Sequence, residues 1–278
     1  KHSKEYELNK SYSTPTNRII TSLYSKKRFL FILKYALVYV HKTNEDGKPT
    51  IEKHIMRYPQ IFATKAIAQK IKEGNKRGII WHTQGSGKTA LAYYNVKHLQ
   101  DYFQKENTIP KFYFIVDRLD LLKQAKTEFI NRGLSVNIVN SKQEFVSDIK
   151  KASALHNSSG NNEITVVNIQ KFSEESSSEA INDYDINIQR VYFLDEVHRS
   201  YNPRGSFLAN LINSYKDAII IGLTGTPLIT IILYSKDLFG DYIHKYYYNA
   251  SIADGYTLKL IREDIETSYK IQLKEALK

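Results

Sequence analysis

The sequence predicts an α/β fold in which a mainly parallel sheet carries helices on both faces. Apolar runs of strand length recur along the chain, longer amphipathic runs alternate with them, and the connections between them are short. Parallel strands need crossover connections that are usually helical, so this alternation is typical of a parallel sheet covered on both faces. The expected strands lie near 78–82, 112–117, 135–139, 163–168, 190–195 and 218–224.

Helical patterns fill most of the intervals between these strands. We expect helices near 88–103, 119–131, 142–155 and 204–214. Upstream, residues 57–75 should be largely helical, because Ala63, Ile67 and Ile71 recur every four positions. Two stretches rich in Ser and Asn, 156–162 and 173–185, are expected to be surface loops.

The N-terminal part has a different character. Residues 1–16 are polar, and residues 17–56 are expected to form a helical and extended adaptor. The pair Asp46-Gly47 lies in a polar segment between apolar stretches, which favours a hairpin or a tight loop.

Residues 83–89, Thr-Gln-Gly-Ser-Gly-Lys-Thr, directly follow the apolar run 78–81 and precede a helical run. Backbone N–H groups at a helix N-terminus are unsatisfied and point outward, which suits a phosphate. Lys88 would reach the β- and γ-phosphates, and Thr89 would offer its hydroxyl to Mg²⁺. The strict pattern has glycine at the position of His82, so this phosphate loop is a variant. The alternative is a glycine-rich turn without a ligand.

An acidic pair follows the strand pattern at 190–194. Ligands of open parallel α/β sheets bind at the C-terminal ends of the strands, where Asp195 stands. We expect Asp195 to hold magnesium through water, and Glu196 to polarise an attacking water as general base. His198 is either a packing or surface residue, or a link between nucleotide state and a neighbouring element.

A further apolar run, 218–223, ends in Thr224-Gly225-Thr226-Pro227. This segment is either a strand-ending turn, which Gly and Pro favour, or a coupling element that senses the γ-phosphate.

Three motifs, TQGSGKT at 83–89, DEVH at 195–198 and TGTP at 224–227, occur in this order. They resemble those of the first RecA-like motor domain of superfamily 2 helicases and translocases. Neighbouring segments narrow the resemblance, over roughly residues 15–270, to the R subunit of type I restriction enzymes. These segments are RYPQ at 57–60, WHTQ at 81–84, FIVDRLDL at 114–121, NIQKF at 168–172, DEVHRS at 195–200, LFGDY at 238–242 and ADGY at 253–256.

The resemblance implies a role for each matching residue, with Gln60 hydrogen-bonded to adenine. The implied nucleotide-binding residues are Arg57, Tyr58, Gln60, Thr83, Gln84, Gly85, Ser86, Gly87, Lys88 and Thr89. Those implied in catalysis are Lys88, Asp195 and Glu196, and those that would hold Mg²⁺ are Thr89 and Asp195. The implied coupling residues are His198, Thr224 and Thr226. The implied DNA contacts are Asp117, Arg118, Gln170 and Lys171, although Asn168 stands where the family more often has a hydroxyl residue.

The resemblance also implies three parts of the chain. Residues 1–56 would be an adaptor that follows an absent nuclease domain, 57–235 the first RecA-like ATPase domain, and 236–278 a linker and the start of a second RecA-like domain. That second domain supplies an arginine in the family. ATP and Mg²⁺ would be the cofactors. Double-stranded DNA and the methyltransferase and specificity subunits would be the partners.

Composition sets broader limits. The formal net charge of +11 suits a polyanionic partner, although a lysine-rich composition explains the charge equally well. The chain has no cysteine, which excludes disulfides and cysteine-based metal sites and fits a cytoplasmic location. The apolar run 29–40 is too short to span a bilayer, so no membrane is expected.

Three functions therefore remain open. The chain is a lobe of a DNA translocase, a lobe of another superfamily 2 helicase or remodeller, or, in isolation, only an ATP- and DNA-binding module. Tyr246, Tyr247 and Tyr248, beside Lys245, either stack on nucleic-acid bases or belong to a strand or core.

Overall fold

The computed structural model describes residues 20, 23–151, 153, 155–169, 188–196, 217–226, 239–258, 272 and 274–276. The strands in this part of the chain are β1 (Leu37–Thr43), β2 (Pro49–Ile55), β3 (Arg77–His82), β4 (Ile109–Val116), β5 (Ser135–Val139), β6 (Glu163–Asn168), β7 (Ile188–Asp195), β8 (Ile219–Thr224) and β9 (Tyr242–Tyr246). The helices are α1 (Lys26–Phe31), a π-helix (Ile32–Ala36), α2 (Tyr58–Lys72), α3 (Lys88–Lys105), α4 (Leu119–Asn131), α5 (Lys142–Lys150) and α6 (Tyr248–Ala253).

Seven of these strands form one sheet, in the spatial order β5-β6-β4-β7-β8-β3-β9. Every strand pair in it is parallel. All six strands expected from the sequence are therefore present, and the α/β prediction is confirmed. Because the strands are parallel, their C-terminal ends meet at one edge of the sheet.

The sheet separates two hydrophobic cores. In β4, Phe112 and Phe114 lie in one core, whereas Tyr113 and Ile115 lie in the other. This is the period-two alternation of a strand that is buried on both faces. Side chains of α2, α3 and α4 cover the first face, and side chains of α5 contribute to the second.

The adaptor contributes a hairpin that packs on the first of these faces. β1 and β2 pair antiparallel, and the turn between them is closed by a 2.7 Å hydrogen bond from the Lys48 N–H to Asn44 Oδ1. Gly47, with φ of +77°, supplies the left-handed residue that the turn needs. Val38 and Val40 are buried in the core that α3 also enters.

Helix α5 ends at Lys150, five residues before the sequence pattern predicts. Its last carbonyls are taken by buried cations: Lys111 Nζ donates to the Asp148 carbonyl at 2.8 Å, and Arg190 Nε donates to the Ile149 carbonyl at 3.1 Å. These tertiary hydrogen bonds satisfy the helix end. A local sequence pattern does not contain that information.

Residues 242–246 form the edge strand β9, which pairs with β3 in the same sheet. The domain boundary at 235 stays a prediction. A Cβ on Gly78 of β3 would lie 2.2 Å from Ile243 Cδ1, so glycine at this position leaves the room that Ile243 occupies. Of the two roles that the sequence allows for Tyr246, base stacking or a place in a strand or core, the structure shows the second. Tyr246 is a buried residue of β9.

The expected helix at 204–214 and the expected loop at 173–185 lie outside the described residues. Among the residues that are described, no helix is both long enough and apolar enough to cross a bilayer.

Candidate active site

The loop between β3 and α3 has the geometry of a phosphate cradle. Gly85 and Gly87 both have φ of +79°, a conformation that costs energy for any residue with a Cβ. Gly87 is the N-terminal cap of α3, which runs for 18 residues. The first N–H groups of this helix are therefore presented at the C-terminal edge of the sheet, where an anion is stabilised by them and by the helix dipole.

Two groups of the loop fit a phosphate ligand. The ammonium of Lys88, in the first turn of α3, lies beside the loop with its side chain 9 % exposed. The Ser86 hydroxyl oxygen is buried and has no hydrogen-bond partner among the described residues. A buried hydroxyl without a partner is costly, and a phosphate oxygen would satisfy it.

Gln60 and Arg57 hold the loop from the start of α2. The side-chain amide of Gln60 donates to the Gly87 carbonyl at 3.0 Å and accepts from the Arg57 backbone N–H at 2.9 Å. The Arg57 guanidinium donates to the Gly85 carbonyl at 3.3 Å. Tyr58, for which the resemblance also implies nucleotide binding, donates its hydroxyl to Asp254 at 2.6 Å, and its role at the nucleotide stays a prediction.

The acidic pair faces Lys88 across one intervening strand. β8 lies between β3 and β7, so the ends of these two strands are not adjacent in the sheet. Strands lie about 4.8 Å apart, and a lysine side chain spans the extra spacing. Lys88 Nζ lies 3.3 Å from Glu196 Oε1, so the predicted base and the predicted phosphate-binding lysine form an ion pair.

Asp195 is buried at the end of β7, with 8 % of its surface exposed. Burial raises its pKa to about 6, while the charge of Lys88 acts in the opposite direction. The charges of Glu196 and Asp117 act in the same direction as burial on this pKa. Together with the Thr89 hydroxyl, Asp195 supplies the hard oxygen donors that Mg²⁺ prefers, so the residues present fit that ion.

Glu196 has a strained backbone. Its φ is +51°, a left-handed conformation that is uncommon for a residue other than glycine. Such strain persists only where the surrounding structure holds it, and it is frequent at functional sites. Here the strained turn follows Asp195 directly, and the Glu196 side chain reaches Lys88.

Residues 224–226, which start at the last residue of β8, also lie at the C-terminal edge of the sheet, beside the phosphate loop. A Cβ on Gly225 would lie 3.3 Å from Lys88 Nζ and 3.3 Å from the Gln84 nitrogen, so this backbone passes close to the phosphate loop. The Thr224 hydroxyl donates to the Thr226 carbonyl at 3.0 Å and accepts from the Thr226 N–H at 3.3 Å. The two threonines therefore form one compact turn against the loop.

His82, at the variant position of the loop, is fully buried against β9. Its Nε2 lies 2.8 Å from His244 Nδ1. Burial lowers the pKa of His82 to about 3, with the charges of His244 and Lys88 acting in the same direction. The ring is neutral near pH 7, so it ties the loop to the edge strand without adding charge to the site.

A cleft of about 650 Å³ opens beside the loop. Glu196, Gln84 and Thr226 line it, and so do Asp117 and Arg118, the residues expected to contact DNA. Their role in DNA binding stays a prediction. Tyr248 and Tyr256 form part of the same wall. The sequence offers base stacking as one of two alternatives for Tyr248 and assigns no role to Tyr256. Both residues lie far along the chain from the loop, so no local pattern relates them to it.

The remaining predicted residues are distributed as follows. Thr83 is buried below the loop, and its N–H donates to the Tyr246 carbonyl at 3.1 Å. The structure thus brings the predicted nucleotide, metal and catalytic residues to one edge of the sheet. His198, Gln170 and Lys171 lie outside the described residues.

Comparison with known proteins agrees with this arrangement. The sequence model of the SWI2/SNF2 ATPase family matches residues 59–277. A type I restriction enzyme endonuclease subunit of Staphylococcus saprophyticus is 30 % identical over 221 residues, which are 76 % of this chain and 22 % of that protein. A subunit of Methanocaldococcus jannaschii, described as a putative type I restriction enzyme endonuclease subunit, is 29 % identical over 266 residues, and the match covers 87 % of this chain and 25 % of that protein. The chain thus spans about a quarter or less of the length of these relatives.

Solved structures share the fold at low sequence identity. The DNA-bound restriction-modification enzyme LlaBIII, an ATP-dependent Type ISP enzyme, aligns with a TM-score of 0.54 and 15 % identity over 76 % of this chain and 16 % of that one. The UvsW helicase of bacteriophage T4 aligns with a TM-score of 0.50 and 16 % identity over 78 % of this chain and 67 % of that one. The parallel sheet therefore has the RecA-like fold. With the family match over most of its length, the chain belongs to the SWI2/SNF2 ATPase family, and its homologues are endonuclease subunits of type I restriction enzymes.

Proposed function

We propose that this chain is the ATP-hydrolysing lobe of a double-stranded DNA translocase in the R subunit of a type I restriction endonuclease. In the complete complex that subunit would move along DNA and cleave it. The observation that carries the proposal is the ion pair of Lys88 and Glu196 beside Asp195, at the end of the phosphate loop. Relatives that are named as endonuclease subunits of type I restriction enzymes support it.

The roles follow from the positions. The N-terminus of α3 and Lys88 hold the β- and γ-phosphates, because both present positive charge to the same cradle. Glu196 takes a proton from the attacking water as general base. Asp195 and Thr89 would hold Mg²⁺, which supplies charge neutralisation at the phosphate oxygens when it is bound. Thr224 and Thr226, in the turn against the loop, would respond to the γ-phosphate.

Hydrolysis also needs positive charge from the far side of the cleft. Phosphoryl transfer depends on electrostatic stabilisation of the transferring group, and in P-loop ATPases an arginine often supplies it. In the described residues, Lys88 is paired with Glu196. We therefore expect this chain alone to bind MgATP with little turnover, and the assembled complex to hydrolyse it.

Double-stranded DNA and the methyltransferase and specificity subunits are the proposed partners, and a cytoplasmic location is part of the proposal. Arg118 is exposed at the rim of the cleft and suits a phosphate of the DNA backbone. The carboxylate of Asp117 would repel a phosphate, so in this proposal it orients its neighbours. Gln170 and Lys171 are proposed as further backbone contacts.

The test combines binding with hydrolysis. Lys88→Ala should abolish MgATP binding to the chain in calorimetry, and it should abolish DNA-dependent ATP hydrolysis by the assembled complex. Lys76→Ala is the matched control, because Lys76 is an exposed lysine at the opposite end of β3. Unchanged hydrolysis in the complex that carries Lys88→Ala would show that the site is assigned wrongly.

Another superfamily 2 motor is the second candidate, favoured by the match to the broad SWI2/SNF2 ATPase family and by the fold shared with a helicase. The active-site chemistry would be the same. A translocase displaces a triplex-forming strand from long duplex DNA, whereas an unwinding helicase separates short duplexes. Activity in the second assay alone would favour the helicase.

A further inference from the structure

The segment ADGY at 253–256 has no role in the function proposed above, yet its aspartate joins two distant parts of the domain. Asp254 is the C-terminal cap of α6. One of its oxygens, Oδ2, accepts hydrogen bonds from the hydroxyls of Tyr58 and Tyr246, both at 2.6 Å. The two tyrosine rings also meet edge to face, with their centres 5.9 Å apart.

Both tyrosines are firm hydrogen-bond donors. Burial, and then the hydrogen bond to Asp254, raises the pKa of Tyr246 to about 12. The same two causes, in the same order, raise the pKa of Tyr58. Each hydroxyl therefore keeps its proton near pH 7 and donates it to the carboxylate. Hydrogen bonds in which a carboxylate is the acceptor are stronger than those between neutral groups.

Tyr58 belongs to the structure that holds one side of the phosphate loop. It is the first residue of α2, directly after the N-terminal cap Arg57. The side chains of Arg57 and Gln60 donate to the loop carbonyls of Gly85, at 3.3 Å, and Gly87, at 3.0 Å. A restraint on Tyr58 therefore restrains the helix start from which both of these donors reach the loop.

Tyr246 belongs to the structure that holds the other side. Its carbonyl accepts from the Thr83 N–H at 3.1 Å, at the beginning of the loop. Its ring centre lies 5.8 Å from that of His82, the last residue of β3. Among the described strands, β9 pairs with β3 alone, so contacts beyond strand pairing help to fix the end of β9. The hydrogen bond from Tyr246 to Asp254 is such a contact.

The segment that carries Asp254 is held in place by its own hydrogen bonds. The Asp254 N–H donates to the Ala250 carbonyl at 2.9 Å, and the Tyr256 N–H donates to the Ser251 carbonyl at 2.9 Å. The Arg57 guanidinium carbon lies 4.2 Å from the centre of the Tyr256 ring, within the range of a cation–π interaction. The acceptor is thus pre-organised. Because Asp254 is exposed, removal of its carboxylate opens no cavity in the core.

We propose that Asp254 is a positioning residue for nucleotide binding, which joins the start of α2 to the end of β9 and thereby fixes both sides of the phosphate loop. This inference rests on the proposed function and concerns the same site. The described residues that line the cleft do not include Asp254, so it acts through Tyr58 and Tyr246. Without it, the loop would spend less time in the arrangement that binds phosphate, and the apparent affinity would fall in proportion.

Binding of inorganic triphosphate with Mg²⁺, measured by calorimetry of the chain, tests this role. Triphosphate has no base, so any contact of Tyr58 with a base does not enter the measurement. Asp254→Ala should weaken binding about tenfold, in line with the loss of hydrogen bonds to a charged group. Asp254→Asn should stay within about threefold of wild type, because the amide oxygen still accepts from both hydroxyls. Asp217→Ala is the matched control, because Asp217 is an exposed aspartate that binds Lys76 at the opposite end of β3.

A mutant cycle separates positioning from a general loss of structure. The double variant Tyr58→Phe, Tyr246→Phe keeps both rings and lacks both hydroxyls, so it should bind triphosphate as weakly as Asp254→Ala. Addition of Asp254→Ala to this double variant should cause no further loss, because the three groups act as one unit. The double variant also carries the test if Asp254→Ala does not fold.

Three results would overturn the role of Asp254. The first is triphosphate binding by folded Asp254→Ala within twofold of wild type, even where its unfolding free energy is reduced. The second is a further loss of affinity when Asp254→Ala is added to the double variant. The third is equally weak binding by Asp254→Asn and Asp254→Ala. Failure of the proposed function has a different signature, because triphosphate binding by the wild type would then be absent or unchanged by Lys88→Ala, and this inference would fail with it.

Discussion

Lys88 Nζ lies 3.3 Å from Glu196 Oε1, although the strands that lead to these two residues are separated by β8. Both side chains are largely shielded from water, with 9 % and 21 % exposure, so their mutual attraction is stronger than that of a surface pair. In the proposed function, a phosphate that binds Lys88 would compete with the Glu196 carboxylate. The arrival of the substrate would then release Glu196, the proposed general base, towards the attacking water.

Glu196→Gln tests this competition. We expect MgATP to bind the variant several-fold more tightly, because Lys88 no longer has an anionic partner in the protein. DNA-dependent hydrolysis by the assembled complex should fall about 10²- to 10⁴-fold, because the amide cannot accept the proton. Calorimetry and a phosphate-release assay measure the two effects. Glu73→Gln, at an exposed carboxylate paired with Lys70, is the control, and hydrolysis within twofold of wild type would contradict the assignment of Glu196.

Gly87→Ala and Gly85→Ala form a matched pair. Each places a Cβ at φ of +79°, so each should lose about 1 kcal/mol of unfolding free energy to backbone strain. Only the Gly87 variant also displaces Gln60, because a Cβ on Gly85 meets nothing within 4 Å. Gly87→Ala should be the less stable variant in urea unfolding. Equal losses of stability would mean that the contact between Gln60 and the loop contributes little.

Asp195→Asn should stabilise the chain in metal-free buffer. Burial raises the pKa of Asp195 to about 6 from an ordinary value of 3.8, so the folded chain binds more protons than the unfolded chain between these pH values. The stability of the wild type therefore falls as the pH rises through this window. At pH 7.5 the variant should gain up to about 3 kcal/mol of unfolding free energy, and below pH 4 the gain should vanish.

Thermal and urea unfolding in the presence of a chelator, across pH 4 to 8, measure this difference. Asp217→Asn is the control, because its side chain is 79 % exposed. A difference between Asp195→Asn and wild type that does not change with pH would show that the ionisation of Asp195 does not affect stability.

Asp148→Ala tests a buried ionic cluster on the other face of the sheet. Asp148 Oδ2 lies 3.2 Å from Lys111 Nζ, accepts from the Tyr113 hydroxyl at 2.9 Å, and its other oxygen contacts the His156 ring. Lys111 is 2 % exposed, so removal of its partner leaves a charge in the core. We expect a loss of about 3–5 kcal/mol in unfolding free energy.

The exposed pair of Lys76 and Asp217 supplies the comparison. Its atoms are closer, at 2.5 Å, yet Asp217→Ala should cost no more than about 1 kcal/mol, because water screens the pair. Urea unfolding of both variants compares the two environments directly. Similar losses would show that burial does not control the strength of the Asp148 cluster.

The strands of the sheet could be predicted closely from local patterns. The predictions at 135–139 and 163–168 coincide with β5 and β6, and the predicted helix at 119–131 coincides with α4. An apolar run between polar turns has few other ways to be buried, so the local pattern suffices. The phosphate loop was predictable for a similar reason, since its glycines, lysine and threonine are consecutive.

Other features depend on residues that are distant along the chain. Helix α5 ends early because Lys111 and Arg190, from two separate strands, bind its last carbonyls. β9 joins the sheet because Gly78 leaves space for Ile243. Neither relationship produces a periodic signal, so the sequence pattern placed the end of α5 too late and did not assign β9 to this sheet.

The sequence alone determined the α/β class, the phosphate loop and the acidic pair. The class follows from the alternation of strand and helix patterns, and the loop and the acidic pair each consist of consecutive residues. Only the tertiary structure decided that Lys88 pairs with Glu196, that the Gln60 amide holds the loop, and that Arg57 stacks on Tyr256. Hydrogen bonds and ring contacts act over a few ångströms. Packing of the sheet and helices brings these residues within that range. The residues are far apart along the chain, so the sequence does not show that they are in contact.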